Sequence, residues 1–246
     1  MKALILAAGY ATRLYPLTKD YPKSLLTVKQ RAIIDFIIDK LEALDALDEI
    51  IIVTNSKFIS QFRKWLEGRA VEKRVSLVDD LTKDNASRLG AIGDMDFVIR
   101  KSLLRDDLLV IGGDNLFEDD LHGFLRFVEA HKNSPVMGVH QLKDKAHARK
   151  YGVLKIDKKN KVIDFQEKPP KPQSRLVAMC LYFFPKGKLG LVGKYLKRKT
   201  RKKAADAVGS YIDWLSKKEA VYAHVFHGRW YDIGDHKFYA HAKDNF

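Results

Sequence analysis

The sequence predicts a doubly wound α/β fold with a mixed, mainly parallel sheet, and three observations support this prediction. Short apolar runs with the length of buried strands recur along the first half of the chain. Segments with apolar residues at helical spacing lie between them, and such alternation builds a parallel sheet with helices on both faces. After about residue 135 the strand-like runs follow one another more directly, which indicates a small antiparallel extension.

The first half of the chain contains four predicted strands. The first is the apolar run Lys2 to Ala7, which ends at Ala8-Gly9 and enters a tight loop. We expect this strand to be buried on both faces, as strands of parallel sheets are. The other three predicted strands are Ile50 to Val53, Val75 to Val78 and Leu108 to Ile111.

Three predicted helices alternate with these strands. The first spans Ala32 to Leu44, and its apolar residues on one helical face are Ile33, Ile34, Ile37, Ile38 and Leu41. The other two predicted helices are Phe58 to Leu66 and Leu89 to Ile99. This order of elements is typical of a Rossmann-like sheet flanked by helices.

The second half is predicted to extend the sheet. Tyr151 to Ile156 and Val162 to Phe165 flank a Lys158-Lys159-Asn160 turn as in a hairpin. The remaining predicted strands are Val136 to Val139, Val177 to Phe184 and Val221 to Phe226, and the predicted helices are Lys186 to Lys199 and Val208 to Lys217. Because we find no internal repeat or low-complexity linker, we expect one domain over residues 1–246.

The net charge of +14 favours anionic partners such as nucleotides, sugar phosphates, pyrophosphate or nucleic acid. Much of the excess charge lies in three segments that we interpret as solvated surface: Lys143 to Lys150, Lys155 to Lys161 and Lys194 to Lys203. The sequence lacks zinc-finger spacing, an RNP-like aromatic motif and a basic helix followed by heptads. Nucleic acid is therefore not expected as the main partner.

The cysteine content and the apolar runs limit the class of protein. Cys180 is the only cysteine, which excludes an intramolecular disulfide and a Cys-based zinc site, and we expect it to be a small buried apolar residue. No run approaches the roughly 20 apolar residues that span a bilayer, and the N-terminus lacks the pattern of a signal peptide. We expect a soluble, cytoplasmic protein without a membrane partner.

A loop of small residues follows the first predicted strand. Small residues let a backbone approach a phosphate closely and present N–H groups to it. Arg13 and Lys23, ten residues apart, add two cations near this loop. Phosphoryl and nucleotidyl transfer need such cations because negative charge builds on the leaving oxygens.

This N-terminal region resembles the signature of the sugar nucleotidylyltransferases, especially their glucose-1-phosphate thymidylyltransferase-like branch. The similar segments are Leu6 to Thr18 and Tyr21-Pro22-Lys23-Ser24-Leu25-Leu26. Five further motifs occur in the order used by that family: Ile33-Ile34-Asp35, Gly112-Gly113-Asp114-Asn115, Tyr151-Gly152-Val153, Phe165-Gln166-Glu167-Lys168-Pro169 and Trp230-Tyr231-Asp232-Ile233-Gly234. The resemblance covers almost the entire chain and implies a fold of the nucleotide-diphospho-sugar transferase type.

The resemblance implies an enzyme that condenses a nucleoside triphosphate with a sugar 1-phosphate and releases pyrophosphate. In such enzymes the motif arginine and lysine, here Arg13 and Lys23, bind the triphosphate and stabilise the departing pyrophosphate. The aspartate after the glycines, here Asp114, and the late Asp232 hold Mg²⁺. The expected catalytic residues are thus Arg13, Lys23 and Asp114.

The resemblance also implies two sets of substrate-binding residues. The expected nucleotide-binding residues are Ala8, Gly9, Tyr10, Ala11, Thr12, Arg13, Arg88 and Gly90. For the sugar phosphate, Gly152 offers a backbone amide, Glu167 binds the sugar and Lys168 binds the phosphate. Residues 1–135 are therefore expected to bind mainly the nucleotide, and residues 136–246 mainly the sugar phosphate. Relatives commonly form homo-oligomers, so a homo-oligomer is one expected state.

The chemistry of the carboxylates agrees with these roles but leaves alternatives open. Mg²⁺ prefers hard oxygen ligands, usually one or two carboxylates plus substrate phosphates. Asp114 follows an apolar strand, at the end where α/β sheets bind ligands. Asp114 could instead be a solvated turn residue, Asp232 could cap the following helix, and Lys168 could be one surface lysine among many.

Two departures from the family pattern concern the nucleotide. Many relatives have glycine at the position of Ala11, which adds a methyl group near the phosphates. The segment Asp80 to Gly90 lies where relatives bind the base, but it is not the glycine-rich version typical of thymidylyl- or uridylyltransferases. The base and the sugar therefore stay open, and Asn85 and Arg88 either contact the nucleotide or belong to a polar loop.

Three other functions compete with this prediction. A glycosyltransferase would show an Asp-x-Asp metal pair, but Asp94-Met95-Asp96 lies in a predicted helix, where a metal site is disfavoured. A cytidylyl- or guanylyltransferase could act on another phosphorylated small molecule. A non-catalytic nucleotide- or RNA-binding protein on the same fold would not need the complete set Arg13, Lys23, Asp114, Lys168 and Asp232.

Overall fold

A nine-stranded sheet covered by helices on both faces is the central feature of the computed structural model, which describes residues 1–198 and 208–246. The strands in these residues are β1 (Lys2–Leu6), β2 (Thr27–Val28), β3 (Arg31–Ala32), β4 (Glu49–Thr54), β5 (Arg74–Asp79), β6 (Leu108–Gly112), β7 (Asn115–Phe117), β8 (Val136–Gln141), β9 (Gly152–Ile156), β10 (Val162–Glu167), β11 (Leu176–Phe184), β12 (Tyr222–Phe226) and β13 (Trp230–Asp232). The α-helices are α1 (Ile33–Glu42), α2 (Ile59–Glu67), α3 (Ala91–Lys101), α4 (His122–Ala130), α5 (Gly190–Lys197), α6 (Val208–Ser216) and α7 (His236–Asn245).

The first half of the chain forms the parallel part of the sheet, as predicted. β1 pairs in parallel with β4 on one side and with β6 on the other, and β5 pairs in parallel with β4. Ala3, Leu4 and Ile5 are completely buried, because helices cover both faces of β1. The predicted burial on both faces is therefore confirmed.

The two faces of the sheet bury separate apolar clusters. α1, α2 and α4 cover one face, and α3, α5 and α6 cover the other. On the first face, α1 contributes Ile34, Ile37 and Ile38, each at most 1% exposed. Burying such a side chain contributes roughly 1.5–3 kcal/mol, so the periodic apolar face of α1 stabilises its contact with the sheet.

The second half adds the antiparallel extension that the sequence predicts. β11 pairs antiparallel with β6, β8 and β9, and β9 and β10 form the predicted hairpin. The register of β11 against β8 shifts between Ala178 and Tyr182, where Cys180 has a left-handed φ of 53°. A bulge of this kind bends a strand and redirects a side chain. Here it lies beside the carboxyl end of β6.

Several elements differ from the prediction. The sequence analysis did not identify α4, α7 or the short strands β2, β3, β7 and β13. The predicted helix Lys186 to Lys199 is a 3₁₀ turn at Lys186–Lys188 followed by α5. Its last residue, and part of the basic segment Lys194 to Lys203, lie outside the described residues. No helix in the described part of the chain is long and apolar enough to cross a membrane.

The start of α7 settles one open alternative. Asp235 caps this helix, because its side chain accepts a hydrogen bond from the backbone N–H of Phe238 at 3.1 Å. The alternative that Asp232 caps the following helix is therefore wrong.

The Ile33-Ile34-Asp35 motif has a local structural explanation. The carboxylate of Asp35 accepts a hydrogen bond from the backbone N–H of Ala32 at 3.0 Å, which satisfies a donor at the start of α1. It also accepts from Trp65 Nε1 at 2.9 Å and lies 2.8 Å from Arg69 Nη1. Asp35 therefore joins the start of α1 to the end of α2.

Candidate active site

The carboxyl end of β4 holds the small-residue loop that follows β1. Asn55 Nδ2 donates to the carbonyl oxygen of Ala8 at 2.8 Å, and the side chain of Thr54 donates to that of Ala7 at 3.3 Å. Ala11 continues the loop with a left-handed φ of 47°, and Thr18 Oγ1 donates to its carbonyl oxygen at 2.8 Å. The parallel pairing of the two strands thus fixes the path of the loop.

Two glycines at the end of β6 allow close packing against β1. The N–H of Gly113 donates to the carbonyl oxygen of Leu6 at 2.9 Å. A Cβ at Gly113 would lie 2.6 Å from Ser24 Oγ and 3.0 Å from that same carbonyl oxygen, so only glycine fits without displacement. The tight turn places Asp114 directly after the sheet edge.

Lys23 links three separate segments at this edge. Its ammonium group contacts Oδ2 of Asp114 and donates to the carbonyl oxygen of Ile233 at 3.0 Å. The side chains of Lys23 and Asp114 are 19% and 25% exposed, so the ion pair is only partly screened by water. The N-terminal motif, the end of β6 and the end of β13 therefore meet at one point.

A cavity of about 500 Å³ lies above this edge and contains every residue predicted to bind the nucleotide. Those residues are Ala8, Gly9, Tyr10, Ala11, Thr12, Arg13, Arg88 and Gly90, and Lys23 and Asp114 line the same cavity. The structure thus brings together the three residues predicted to be catalytic, although their roles stay predictions.

Tyr10 lines the first cavity but also has a structural role. Its side chain is 3% exposed and packs against Phe58, with the ring centroids 6.0 Å apart. Its hydroxyl group is 3.1 Å from Thr82 Oγ1. Burial of the phenol raises its pKa and so favours the neutral hydroxyl further. Tyr10 therefore ties the first loop to the segment after β5.

A second cavity, of about 550 Å³, adjoins the first and contains the residues predicted to bind the sugar phosphate. Gly152, Glu167, Lys168 and Asp232 all line it. The two cavities share Arg13, Ala91, Asp114 and Cys180. One continuous site therefore extends from the loop after β1 to the start of β9 and the end of β10.

Asp232 enters the second cavity from the end of β13, where its neighbour in register is Asn115 of β7. Burial and the nearby carboxylate of Asp114 raise the pKa of Asp232 to about 6, although Lys23 and Arg13 oppose the shift. Two carboxylates that repel each other form a donor set suited to a divalent cation.

The number of acidic ligands also fits Mg²⁺. The described residues contain no group of three or more His, Cys, Asp or Glu side chains placed to hold a metal. Mg²⁺ does not require such a group, because it commonly takes one or two carboxylates and completes its shell with water and substrate phosphates. Asp114 and Asp232 therefore fit the predicted ion.

Glu167 is the last residue of β10. Burial raises the pKa of its carboxyl group, and Lys168 opposes this shift with Nζ 3.7 Å from Oε1. Lys168 has a left-handed φ of 47°, and its N–H donates to the carbonyl oxygen of Tyr151 at 3.0 Å. The chain therefore turns sharply at Lys168 and leaves both side chains in the second cavity.

Sequence reasoning did not identify Cys180 as part of the site. The expectation of a buried core residue is wrong, because Cys180 is partly exposed and lines both cavities. Desolvation, together with the carboxylates of Asp114 and Asp232, raises the pKa of its thiol to about 12. The apolar run around Cys180 gave no signal for this position, because the bulge in β11 turns the residue toward the cavity.

Lys150 was predicted to belong to a solvated surface segment, and its side chain is indeed 46% exposed, but the residue also belongs to the candidate site. It lines the second cavity, with Nζ 4.4 Å from the ring centroid of Phe238 and 4.0 Å from Asp235 Oδ2. Its position directly before the Tyr151-Gly152 motif is the one signal in the sequence that could have identified it.

The Asp94-Met95-Asp96 segment lies in α3, as predicted. Asp94 is buried at the edge of the first cavity, whereas the partly buried Asp96 pairs with Arg100 Nη2 at 2.8 Å. The two carboxylates have different neighbours, which argues against an Asp-x-Asp metal pair.

Comparisons with known proteins agree with this geometry. The chain is 30% identical over 238 residues to the bifunctional protein GlmU of Methanocaldococcus jannaschii. This alignment covers 95% of the chain and 51% of GlmU. It is 32% identical over 187 residues to glucose-1-phosphate thymidylyltransferase of Xanthomonas campestris pv. campestris, covering 74% and 59% of the two chains. The chain thus spans little more than half the length of these relatives.

The fold recurs in a solved structure of a UDP-glucose pyrophosphorylase complexed with UDP-glucose. The TM-score is 0.82 at 20% identity, with 99% of this chain and 97% of the other covered. The model of the nucleotidyl transferase family matches residues 2–246, which include both cavities and the loops that shape them. With this match over nearly its whole length, the chain belongs to the nucleotidyl transferase family.

Proposed function

We propose that this protein transfers a nucleotidyl group from a nucleoside triphosphate to a sugar 1-phosphate, giving a nucleotide-activated sugar and pyrophosphate. The observation that carries the proposal is the shared wall of the two cavities, which contains Arg13 and Asp114. The nucleotide would occupy the first cavity and the sugar phosphate the second, so that the reacting phosphates meet at this wall. The similarity of the chain to a glucose-1-phosphate thymidylyltransferase supports this assignment.

The reaction is a direct in-line displacement. An oxygen of the sugar phosphate forms a bond to the α-phosphorus, and the bond from this phosphorus to the bridging oxygen of pyrophosphate breaks. The leaving pyrophosphate takes the electron pair. No general base is required, because a phosphate monoester with a second pKa of about 6 is already largely dianionic at neutral pH.

The residues of the chain bring two anions together. Arg13 and Lys23 neutralise the triphosphate and the charge that develops on pyrophosphate, and Lys168 holds the phosphate of the acceptor. Glu167 accepts hydrogen bonds from sugar hydroxyl groups, and the N–H of Gly152 orients the sugar. Good positioning of two reactants lowers the barrier by about 7–11 kcal/mol, so no covalent intermediate is needed.

Asp114 and Asp232 are the residues that would hold Mg²⁺, which supplies divalent charge to neutralise substrate phosphates when bound. Lys23 keeps Asp114 oriented toward the junction of the two cavities through their direct contact. The cytoplasmic location, and the division of binding between residues 1–135 and 136–246, are parts of the same proposal.

The test is release of pyrophosphate. The protein is incubated with Mg²⁺, each of ATP, CTP, GTP, UTP and dTTP, and the 1-phosphates of glucose, galactose, mannose and N-acetylglucosamine. Release that depends on one sugar phosphate supports the proposal and identifies both substrates. Release from a nucleotide alone, unaffected by any sugar phosphate, would indicate a hydrolase. Nucleotide binding without any release would favour the non-catalytic alternative.

A further inference from the structure

Gly209 lies in the first turn of α6 and lines the second cavity beside Glu167. A Cβ at Gly209 would lie 1.7 Å from Oε2 of Glu167 and 2.7 Å from its Cδ. Both distances are far inside van der Waals contact. The present location of the carboxylate therefore depends on the missing side chain at residue 209. We propose that Gly209 is a positioning residue that holds the Glu167 carboxylate at the sugar-binding wall, an inference that rests on the proposed function.

A second glycine lies against the same carboxylate. A Cβ at Gly152 would be 3.2 Å from Oε2 of Glu167 and 2.4 Å from Cζ of Phe165. The carboxylate thus occupies a slot between the start of β9 and the start of α6. The buried ring of Phe165, 4% exposed, lies against both glycines, but much less closely at Gly209, where its Cε1 would be 3.2 Å from an added Cβ.

Because of this difference, a methyl group at Gly152 should disturb the fold, whereas one at Gly209 should mainly move the Glu167 carboxylate. At Gly152 an added methyl group would collide with a ring that cannot move without disturbing the core. At Gly209 the nearest atoms belong to the free end of the Glu167 side chain, which can rotate toward the cavity or solvent. Gly209→Ala should therefore preserve the fold but displace the carboxylate. Alanine is also the better helix former, which favours α6.

Displacement of the carboxylate should affect one substrate only. The close cationic neighbour of Glu167 among the described residues is Lys168 at 3.7 Å, so the carboxylate oxygens remain available to hydroxyl donors of a bound sugar. If the carboxylate moves, these hydrogen bonds are lost while the first cavity is unchanged. We expect the KM for the sugar 1-phosphate to rise about tenfold, with the KM for the nucleotide within about twofold of the wild-type value.

The experiment uses Gly209→Ala, Glu167→Ala and the double variant. The acceptor is whichever 1-phosphate of glucose, galactose, mannose or N-acetylglucosamine gives the fastest pyrophosphate release with the wild-type protein. Gly190→Ala is the matched control, since it adds a methyl group at the first residue of α5, where no described atom lies within 4 Å. We expect Gly209→Ala to raise the KM for the acceptor without lowering Tm, and Gly190→Ala to leave both unchanged.

The double variant tests whether Gly209 acts through Glu167. Gly209→Ala should have no further effect on the acceptor KM in the Glu167→Ala background, because the group that it displaces is already absent. An equal rise in both backgrounds would overturn the inference. If Gly209→Ala lowers Tm, the Tm of the double variant shows the cause. Recovery of Tm would show that the added methyl group clashes with Glu167, whereas a Tm that stays low would contradict the inference.

A crystal structure of Gly209→Ala provides a test that does not depend on activity. A displaced Glu167 carboxylate supports the positioning role, and an unmoved carboxylate overturns it. If the wild-type protein shows no sugar-dependent release of pyrophosphate, the proposed function fails, while the position of the carboxylate still decides the structural inference.

Discussion

The ammonium group of Lys23 contacts the carboxylate of Asp114, although 91 residues separate them in the sequence. The contact joins the N-terminal motif to the end of β6 and also places a cation between Asp114 and the carbonyl oxygen of Ile233. The structure gives Lys23 one role, and the proposed reaction gives it a second. It offsets the repulsion between Asp114 and Asp232, and in the proposed reaction it stabilises pyrophosphate.

Lys23→Ala should lower kcat by about 10²–10³-fold, as loss of a charge-stabilising group does in other enzymes. The fold should be retained, because the side chain lies at the cavity edge and not in an apolar cluster. Steady-state kinetics and circular dichroism measure the two effects. Lys19→Ala is the matched control, since this lysine is exposed in the same N-terminal region. A near-normal kcat for Lys23→Ala would remove the residue from the mechanism.

Gly9→Ala should affect nucleotide binding, whereas Gly113→Ala should affect stability. A Cβ at Gly9 meets no described atom within 4 Å and would project into the space assigned to the triphosphate. We expect unchanged Tm and a KM for the nucleotide that is raised about tenfold. A Cβ at Gly113 would meet Ser24 Oγ at 2.6 Å, so this variant should lose about 1–3 kcal/mol of unfolding free energy. Equal loss of Tm in both variants would contradict this distinction.

The sequence predicts the parallel strands well because their apolar runs are buried on both faces, as in β1 and β4. It also predicts the sheet edge that carries Asp114. It does not predict the contact of Lys150 with Phe238, because their proximity depends on α7, which buries only Ala242. A helix with so few apolar residues has no periodic signal.

Cys180 shows a second limit of sequence reasoning. Strand periodicity assigns alternate residues to alternate faces, but a bulge changes the face that a residue occupies. The bulge in β11 is set by pairing with β6, β8 and β9, strands that are distant in the sequence. The cavity-lining position of Cys180 therefore becomes visible only when the sheet is assembled.

Ala11→Gly should stabilise the protein. The backbone at Ala11 is left-handed, with φ of 47°, a conformation that glycine adopts without the steric penalty of a Cβ. A residue with a Cβ loses about 1–2 kcal/mol in this conformation, whereas glycine increases the entropy of the unfolded chain by about 0.4–1 kcal/mol. We expect a net gain of up to about 1.6 kcal/mol in unfolding free energy, measured by urea denaturation.

Ala43→Gly is the control for Ala11→Gly. Ala43 is exposed at the end of α1 with φ of −68°, a conformation without strain for alanine. This variant should lose stability, because glycine adds only unfolded-state entropy there. A loss of stability in both variants would show that the loop after β1 does not strain Ala11.

Glu167→Gln should increase stability at neutral pH. Burial raises the pKa of Glu167 in the folded state above its ordinary value of 4.5, so the folded state binds this proton more tightly than the unfolded state does. Ionisation of Glu167 therefore reduces the stability of the wild-type protein as pH rises above 4.5 through the raised pKa. Glutamine does not ionise, so the advantage of the variant should be constant above that pKa and decline as pH falls toward 4.5.

Urea denaturation between pH 4.5 and pH 8 measures this difference, with Glu72→Gln as the control at an exposed glutamate. If wild type and Glu167→Gln are equally stable at every pH, burial of the ionised carboxylate does not destabilise the protein. The expected gain in stability should accompany a loss of sugar binding, because the neutral amide is a weaker acceptor for hydroxyl donors than a carboxylate. A residue that costs stability in the free protein but improves substrate binding is typical of a functional site, and Glu167 should show both effects in one variant.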